Sequence, residues 1–375
     1  MYRNKNLIYY FICLSLFLFS CTEQFIPEIK EDVSILVVDG KITNAKGPYE
    51  VRLFRTVNLN QPDSLNPEEG AIISIYDDKG NSDSFIEKSP GIYNNLTSDF
   101  RGVIGNAYWI EIQTSDGKKY ESIPEVIPPE VLIESIYGED TKMLQDNGTF
   151  LNGAGFYIDA KSPSNQSSYL RWSYQESWEW HSPFDEPKTP NQARICFPYD
   201  SSNNISVFDG SNLDNKEFKH LSTNFISLNE VKLNYNYFLN VSLHSISYDN
   251  YQFWKNIKQN IQANGGTYDI LPSNTKGNIC ACEDDADVIG YFETSAVNTK
   301  GKTFSIDNFQ QEFNEFPVDC EDITLKLREE HYPDSHKFHT IKFYTEENIW
   351  VFIVRRNYCY DCNVKYSPTK PSFWP

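Results

Sequence analysis

Hydrophobic and polar residues alternate along many short stretches of this chain, as they do in half-buried β-strands. From Tyr49, the apolar residues Val51 and Leu53 follow at every second position. The residues between them, Glu50 and Arg52, are charged. This stretch is therefore predicted to be a strand with one buried face and one exposed face.

Stretches of this kind recur over residues 33–128, and turn sequences separate them. Asp77–Asn81 and Asp116-Gly117 have the composition of hairpin turns. Asp39-Gly40 is predicted to turn the chain after its first apolar run. Evenly spaced strands with repeated turns favour a small β-sandwich.

Two adjacent prolines, Pro128 and Pro129, follow this region and indicate a linker. We therefore predict one β domain over residues 33–128 and a larger β domain over residues 129–375. The second region begins with a strand-like run. A polar stretch over residues 138–153 comes next and is predicted to be a loop.

Near residue 247 the hydrophobic period changes from two to between three and four. One helical face would be formed by Tyr248, Tyr251, Trp254 or Phe253, Ile257 and Ile261. Ser247 or Asp249 could cap the start of this helix, and Asn264–Gly266 could end it. We therefore predict a mainly β fold, in which a sandwich precedes a larger β domain that carries one amphipathic helix near residues 247–264. Further strands are expected after the helix, two of them near residues 287–306.

The first residues have the pattern of an export signal. A basic start at Arg3 and Lys5 precedes an apolar stretch over residues 7–19. This stretch is too short to span a membrane as a helix, but it has the length of the apolar part of a secretory signal. Ser20 and Cys21 follow, and a small residue directly before a cysteine resembles a bacterial lipobox.

The lipobox-like order implies that residues 1–20 are a cleaved signal peptide and that Cys21 is the site of lipid attachment, including palmitate. Residues 21–32 would then be a flexible tether. The alternative is an ordinary secretory signal in which the cysteine occurs by chance. Under the lipoprotein interpretation, the mature chain lies outside the cytoplasm.

Composition narrows the range of partners. The 375 residues carry a formal net charge of −19. So acidic a chain is unsuited to nucleic acid, whose phosphates bind Lys and Arg. Aromatic residues make up 15% of the chain, which favours β structure.

Motifs of the common enzyme classes are missing from the sequence. It has no glycine-rich phosphate loop, no Gly-x-Ser-x-Gly elbow and no His-Glu-x-x-His pair. We therefore expect no enzyme activity, no catalytic residues and no cofactor. Two carboxylates that are distant in sequence could still meet in space, as they do in glycoside hydrolases.

Two clusters could in principle bind a metal ion. His331, His336 and His339 lie in a charged segment that contains a proline, which favours a solvated loop. The acidic run over residues 283–287 contains the carboxylates that calcium prefers, but it lacks the spacing of an EF-hand. We expect an exposed acidic loop there and no metal site.

Six cysteines follow the predicted lipidation site: Cys196, Cys280, Cys282, Cys320, Cys359 and Cys362. An even number in an exported chain predicts disulfides. We expect Cys280 or Cys282 to pair with Cys320, and Cys196 to pair with one of the two cysteines near the C-terminus. The alternative is a zinc site built from the two close cysteine pairs, which an oxidising compartment disfavours.

Several tryptophans are candidates for a binding surface. Trp172 shares an apolar strand face with Leu170 and is predicted to pack in the core. Trp178 and Trp180 lie beyond it, where the strand is expected to leave the core. Exposed aromatic rings at such positions bind sugars or anchor protein partners. Burial remains the commoner role for tryptophan.

Motifs in a fixed order extend along most of the chain after the lipobox. They are Val38-Asp39-Gly40, Gly47–Leu53, Gly91-Ile92-Tyr93, Gly105, Tyr108–Ile112, Asp116–Tyr120, Tyr251 with Trp254, Gly277-Asn278-Ile279, Gly290–Phe292 with Ser295, Cys359-Tyr-Asp-Cys362 and Lys370–Trp374. This order resembles Bacteroidota outer-membrane lipoproteins that form a family of unknown function and are encoded beside TonB-dependent receptors. Cys282, residues 363–369 and Pro375 depart from the family pattern.

The resemblance implies an outer-membrane lipoprotein with an immunoglobulin-like N-terminal sandwich. It also implies a non-enzymatic accessory or ligand-binding partner of a TonB-dependent receptor. Either the periplasmic or the cell-surface face of the membrane is compatible with it. The alternative function is that of a stand-alone cell-surface protein that binds glycans or peptides.

Overall fold

The computed structural model describes residues 34–56, 66–97, 99–184, 193–262, 277–282, 286–314, 317–327, 333–334, 337–346 and 349–375. These residues form many β-strands and one α-helix, which confirms the predicted mainly β fold. The predicted signal peptide, Cys21 and the tether lie outside the described residues.

The N-terminal segment contributes short strands with the following bounds: β1 (Leu36–Thr43), β2 (Glu50–Arg55), β3 (Asn66–Pro67), β4 (Ile72–Asp77), β5 (Ser82–Ser89), β6 (Ile92–Asn95), β7 (Ala107–Gln113), β8 (Lys119–Ser122) and β9 (Glu125–Val126). The predicted hairpin turn at residues 77–81 is confirmed, because it joins β4 to β5. The turn at Asp116-Gly117 is confirmed as well, because it joins β7 to β8.

The rest of the chain contributes longer strands and the helix: β10 (Leu132–Leu144), β11 (Phe150–Lys161), β12 (Tyr169–Trp178), β13 (Trp180–His181), β14 (Ile195–Cys196), β15 (Tyr199–Ser201), β16 (Ser206–Asp209), β17 (Glu217–Ser227), β18 (Tyr237–Ile246), α1 (Tyr248–Gln262), β19 (Ile279–Ala281), β20 (Val288–Phe304), β21 (Ile323–Leu327), β22 (Phe338–Glu346) and β23 (Ile349–Arg356). Short 3-10 turns follow β20, precede β21 and follow β23.

Two layers of strands enclose the first hydrophobic core. β5 joins them, because its first residues pair with β4 and its later residues pair with β6. Val38 and Leu53 point into this core from one layer, and Ile75 and Ile110 from the other, each no more than 1% exposed. The alternation in the sequence therefore produces a sandwich, as predicted.

The predicted turn at Asp39-Gly40 is wrong, because β1 continues through both residues. Gly40 lies opposite Val51 of β2. A Cβ atom on Gly40 would come within 2.9 Å of the Val51 side chain. The glycine at this position therefore lets two paired strands pack closely and does not end the first strand.

One long strand, β20, connects the two parts of the molecule. Its first half, residues 288–295, pairs in parallel with β1, and its second half, residues 296–304, pairs with β18. The sequence predicted two separate strands here, and this prediction is wrong because the chain passes from one sheet to the other without a break. Gly290 has a φ of 118°, and a Cβ atom there would collide with the Val38 carbonyl oxygen, so the parallel pairing with β1 requires glycine at this position.

The chain thus returns to the N-terminal sandwich after residue 128. β19 pairs with β8, and β20 pairs with β1, so residues 279–295 complete the sheet that the first strands begin. The division into domains at residue 128 stays a prediction. The structure adds that the first core includes Ile279 and Phe292 from the second segment.

The second core lies between two further layers. β12, β18 and the second half of β20 form one layer, and β10, β11 and β17 form the other. Trp172 is 7% exposed in this core, and its Nε1 donates a hydrogen bond to the Ser222 carbonyl at 3.0 Å. The predicted core position of Trp172 is confirmed.

β10 and β11 form a long hairpin where the sequence predicted a loop over residues 138–153, so that prediction is wrong. The two strands remain paired up to Leu144 and Phe150. Backbone pairing satisfies the amide groups whatever the polarity of the side chains, which is why a polar stretch can be a strand. β17 accompanies β11 only as far as Gly153, so the end of the hairpin extends beyond the three-stranded sheet.

Helix α1 begins at the predicted cap, because the Ser247 hydroxyl accepts a hydrogen bond from the Asn250 amide at 3.1 Å. Tyr251 and Phe253 are each 7% exposed and pack against the sheet. Ile261 is 70% exposed and Tyr248 is 52% exposed, so their predicted places on the buried face are wrong. The aromatic contacts of the helix with the sheet come from its first half, and the predicted end at residues 264–266 lies outside the described residues.

The start of the helix is tied to both parts of the molecule through Glu125. The carboxylate of Glu125 accepts hydrogen bonds from the hydroxyls of Ser247 and Tyr291, the latter at 2.8 Å. Burial raises the pKa of Glu125 above its usual value. This buried carboxyl therefore positions α1 on β20.

Candidate functional site

The two tryptophans predicted to bind a ligand line one cavity. Trp178 ends β12 and Trp180 begins β13, and the loop over residues 229–232 faces them. Pro317 and Asp319 also line the cavity, which is open to solvent and has a volume of about 220 Å³. We call this cavity the tryptophan cleft.

The two indoles have different roles in the tryptophan cleft. Trp180 is 7% exposed and packs on Tyr358 and Tyr366, with ring centroids 5.9 and 5.5 Å away. Its buried Nε1 has no hydrogen-bond partner among the described residues. Trp178 is half-buried, and the Lys232 ammonium lies 4.8 Å from its ring centroid. Trp180 therefore forms the floor of the cleft, and Trp178 offers the accessible aromatic surface.

Two carboxylates, those of Glu176 and Glu230, hold Lys232 in place. Its Nζ lies 2.6 Å from Glu176 and 3.4 Å from Glu230. Burial opposes the charge of Lys232, but the charges and hydrogen bonds of Glu176 and Glu230 raise its pKa overall. Glu176 is 2% exposed and also accepts a hydrogen bond from the Tyr237 hydroxyl at 2.6 Å.

Sequence reasoning missed Glu176 and Lys232. The signal for Glu176 was present, because this acid shares strand parity with Leu170 and Trp172 and so stands on the apolar face of β12. A charged residue at such a position requires a buried partner. The partner, Lys232, comes from a distant loop, and no local pattern indicates it.

Two disulfides stabilise the C-terminal part of the molecule beside this cleft. Cys196 pairs with Cys362, which confirms that Cys196 bonds to the C-terminal cysteine pair. Cys320 pairs with Cys359. The predicted bond from Cys280 or Cys282 to Cys320 is therefore wrong. Cys280 lies in β19, the edge strand of the N-terminal sandwich, and Cys282 follows this strand; both are exposed and neither takes part in a disulfide.

A second buried polar network lies where β20 crosses between the sheets. Glu293 is 3% exposed, and the Nε and Nη2 groups of Arg171 each donate to it at 2.9 Å. The Trp254 Nε1 donates to the same carboxylate at 3.3 Å. Burial disfavours the charge of Glu293, but Arg171 and His244 hold its pKa well below the usual range.

The neighbouring serine and histidine do not have the geometry of a catalytic triad. His244 Nδ1 lies 2.9 Å from Ser295 Oγ and 3.3 Å from the Glu293 carboxylate. A triad uses opposite ring nitrogens for the nucleophile and the acid. Ser295 is fully buried and donates its hydroxyl to Glu293 at 2.8 Å. Burial lowers the pKa of His244 to about 4, so its imidazole is neutral at pH 7. His244, Ser295 and Glu293 therefore form a buried hydrogen-bond network with one another.

The metal candidates from the sequence are not brought together. Within the stretches that the structure describes, no group of three or more His, Cys, Asp or Glu side chains could hold a metal ion. His339 lies in β22 and not in the predicted loop, with its ring centroid 4.7 Å from that of Tyr360. His331, His336 and residues 283–285 lie outside the described residues.

The end of the β10–β11 hairpin exposes apolar side chains. Leu144 and Phe150 lie opposite each other and are 62% and 66% exposed. Met143 is 42% exposed and lies opposite Leu151. Paired residues share a face of the ribbon, so these two pairs make both faces apolar. We call Met143, Leu144, Phe150 and Leu151 the hairpin tip.

Comparison with known proteins gives a family but no activity. No curated protein matches the chain. Within the described residues, no helix is long and apolar enough to cross a membrane. A family model with the description "Domain of unknown function (DUF4249)" matches residues 22–301, which is most of the chain. The chain therefore belongs to the DUF4249 family of unknown function.

Proposed function

We propose that this protein is a non-enzymatic lipoprotein, anchored to the outer membrane through Cys21, that serves as the accessory of a TonB-dependent receptor. The lipobox-like sequence before Cys21 supports the anchor. The two disulfides support an oxidising compartment outside the cytoplasm. The resemblance to Bacteroidota lipoproteins encoded beside such receptors supports the partner.

The exposed hairpin tip is the observation that carries the proposed association. Leu144 and Phe150 leave about two thirds of their surface in water, at the end of a ribbon that extends beyond its sheet. Apolar side chains grouped in this way are typical of a protein interaction site. A protein surface that buries the hairpin tip removes this apolar area from water, which favours association.

Affinity capture tests the association. The full-length protein, extracted in mild detergent and captured through a tag, is expected to bring down one large β-barrel. Leu144→Asp combined with Phe150→Asp should abolish the capture, because both changes place a charge in the buried interface. The control is Ile72→Asp, at a 67% exposed position on the N-terminal sandwich, which should leave the capture unchanged. Recovery of the bait alone in several detergents would contradict the proposal.

The tryptophan cleft favours a second candidate function, the binding of a glycan or peptide by this protein acting alone. Trp178 offers a partly exposed ring, and Lys232, Glu230 and Asp319 supply polar groups around it. An aromatic surface with fixed hydrogen-bonding groups is the usual arrangement of a site for a small ligand.

Retention on immobilised glycans and peptides tests this second candidate. Trp178→Ala is expected to abolish retention, because it removes the accessible ring while leaving the Trp180 floor in place. The control is Trp109→Ala, which removes a partly buried ring that stacks on Tyr76 outside the cleft. Equal retention by the Trp178→Ala variant and the parent protein would reject the cleft as the site.

A further inference from the structure

A second cavity of about 300 Å³ lies between helix α1 and the outward face of the N-terminal sandwich. Asp39 and Lys41 of β1 line it, together with Arg171 of β12, Trp254 of α1 and Glu293 of β20. We call it the helix–sheet cleft. None of these residues belongs to the tryptophan cleft or to the hairpin tip.

Strand alternation turns charged residues toward the helix–sheet cleft. Val38 and Ile42 of β1 point into the sandwich core and are at most 1% exposed. Asp39 and Lys41 therefore point outward, on the same face of the strand. Arg52 of β2 lies opposite Asp39 in the strand ladder and shares this face.

Most of the charges in the helix–sheet cleft neutralise one another. Arg171 and Glu293 form the buried bidentate ion pair described above. Arg52 Nε donates to the Glu50 carboxylate at 2.6 Å. Each of these two pairs is neutral overall.

Asp39 and Lys41 are both exposed, and the strand ladders place Arg52 opposite Asp39 and Glu293 opposite Lys41. Within the part of the chain that the structure describes, neither Asp39 nor Lys41 forms a hydrogen bond or an ion pair through its side chain, and the Arg171 Nη1 group donates to no protein atom. Asp39 and Lys41 are two residues apart on one strand, so their Cα atoms are separated by about 6.6 Å. The cleft thus presents one negative group and a nearby positive group.

Trp254 gives the helix–sheet cleft a fixed apolar wall. Its indole nitrogen donates to Glu293, and the Arg171 guanidinium lies 5.0 Å from its ring centroid. These contacts hold the ring in one orientation. A small ligand that enters the cleft would therefore meet a flat apolar surface beside the two charges.

We propose that the helix–sheet cleft binds a small zwitterion of the α-amino acid and short-peptide class. The ligand ammonium pairs with Asp39, and the ligand carboxylate pairs with Lys41 and the remaining Arg171 nitrogen. A cavity of this volume is at the lower end of the range for small-molecule sites. A zwitterion also suits a protein whose net charge is −19, since a simple anion would be repelled from it.

Titration calorimetry on the full-length protein in detergent tests the proposal, with L-alanyl-L-alanine as the probe. Saturable binding is expected. Acetylation of the probe amine or amidation of its carboxylate should each weaken binding about tenfold, because each removes one charge-assisted hydrogen bond. A probe that fails to bind up to its solubility limit would overturn the proposal.

Two variants test which protein charge binds which charged group of the ligand. Asp39→Asn should weaken binding of L-alanyl-L-alanine and leave the weak binding of the acetylated probe unchanged. Lys41→Gln should behave in the same way toward the amidated probe. The matched control is Lys88→Gln, an exposed lysine on β5 away from the cleft. Parental affinity in both cleft variants would overturn the assignment of Asp39 and Lys41.

Discussion

Replacing Arg171 by methionine is expected to lower the free energy of unfolding by about 3–5 kcal/mol, because the change leaves the Glu293 carboxylate buried without its main counter-charge. The side chains of Arg171 and Glu293 are 15% and 4% exposed, so water compensates only weakly for the lost guanidinium. Urea denaturation measures the loss. The control is Lys161→Met, which breaks the exposed ion pair with Glu217 and should leave the midpoint nearly unchanged.

The pH dependence of this loss separates the charge effect from simple loss of packing. Burial lowers the pKa of His244, and the positive charge of Arg171 lowers it further. Without Arg171, the nearby Glu293 carboxylate raises the pKa of His244, so His244 takes up a proton as the pH falls and supplies part of the missing charge. The difference between variant and parent should therefore be smaller at pH 6 than at pH 8. An equal difference at both values would show that packing alone is lost.

Removing the Cys196–Cys362 disulfide by two serine substitutions is expected to cost about 2–5 kcal/mol of folding free energy. This bond joins residues that are 166 positions apart, whereas Cys320 and Cys359 are 39 positions apart. A disulfide lowers the entropy of the unfolded chain by an amount that grows with the logarithm of the number of residues in the closed loop. The longer loop should therefore contribute about 1 kcal/mol more. Denaturation of the two double variants, side by side, measures this difference.

The control for both disulfide variants is Cys280→Ser, which changes an exposed residue outside the two disulfides. Its denaturation midpoint should match that of the parent protein. The shorter-loop variant should lie between the control and the longer-loop variant. The reverse order of the two double variants would contradict the loop-length argument.

The individual strands of the sandwich were predictable from the sequence for a local reason. Val51 and Leu53 are buried because they alternate with polar residues on β2, and this period is a property of the strand itself. The start of α1 was predictable as well, since the Ser247 cap acts within one turn of helix. Local backbone geometry fixes both features.

The pairing of strands was not predictable in the same way. A polar stretch became the β10–β11 hairpin, and two expected strands became the single strand β20. Strand pairing depends on which segment lies alongside, and that partner is distant in sequence. The structural role of Gly40 was not predictable either, because it depends on the Val51 side chain on the neighbouring strand.

By itself, the sequence determined the mainly β class, the position of the helix and the burial of Trp172. Only the tertiary structure decided that Glu176 meets Lys232, that Glu293 meets Arg171 and that Cys320 bonds to Cys359. The first set follows from periodicity and composition, which act over a few residues. The second set joins residues 39 to 122 positions apart, and only the packing of the sheets brings their side chains within bonding distance.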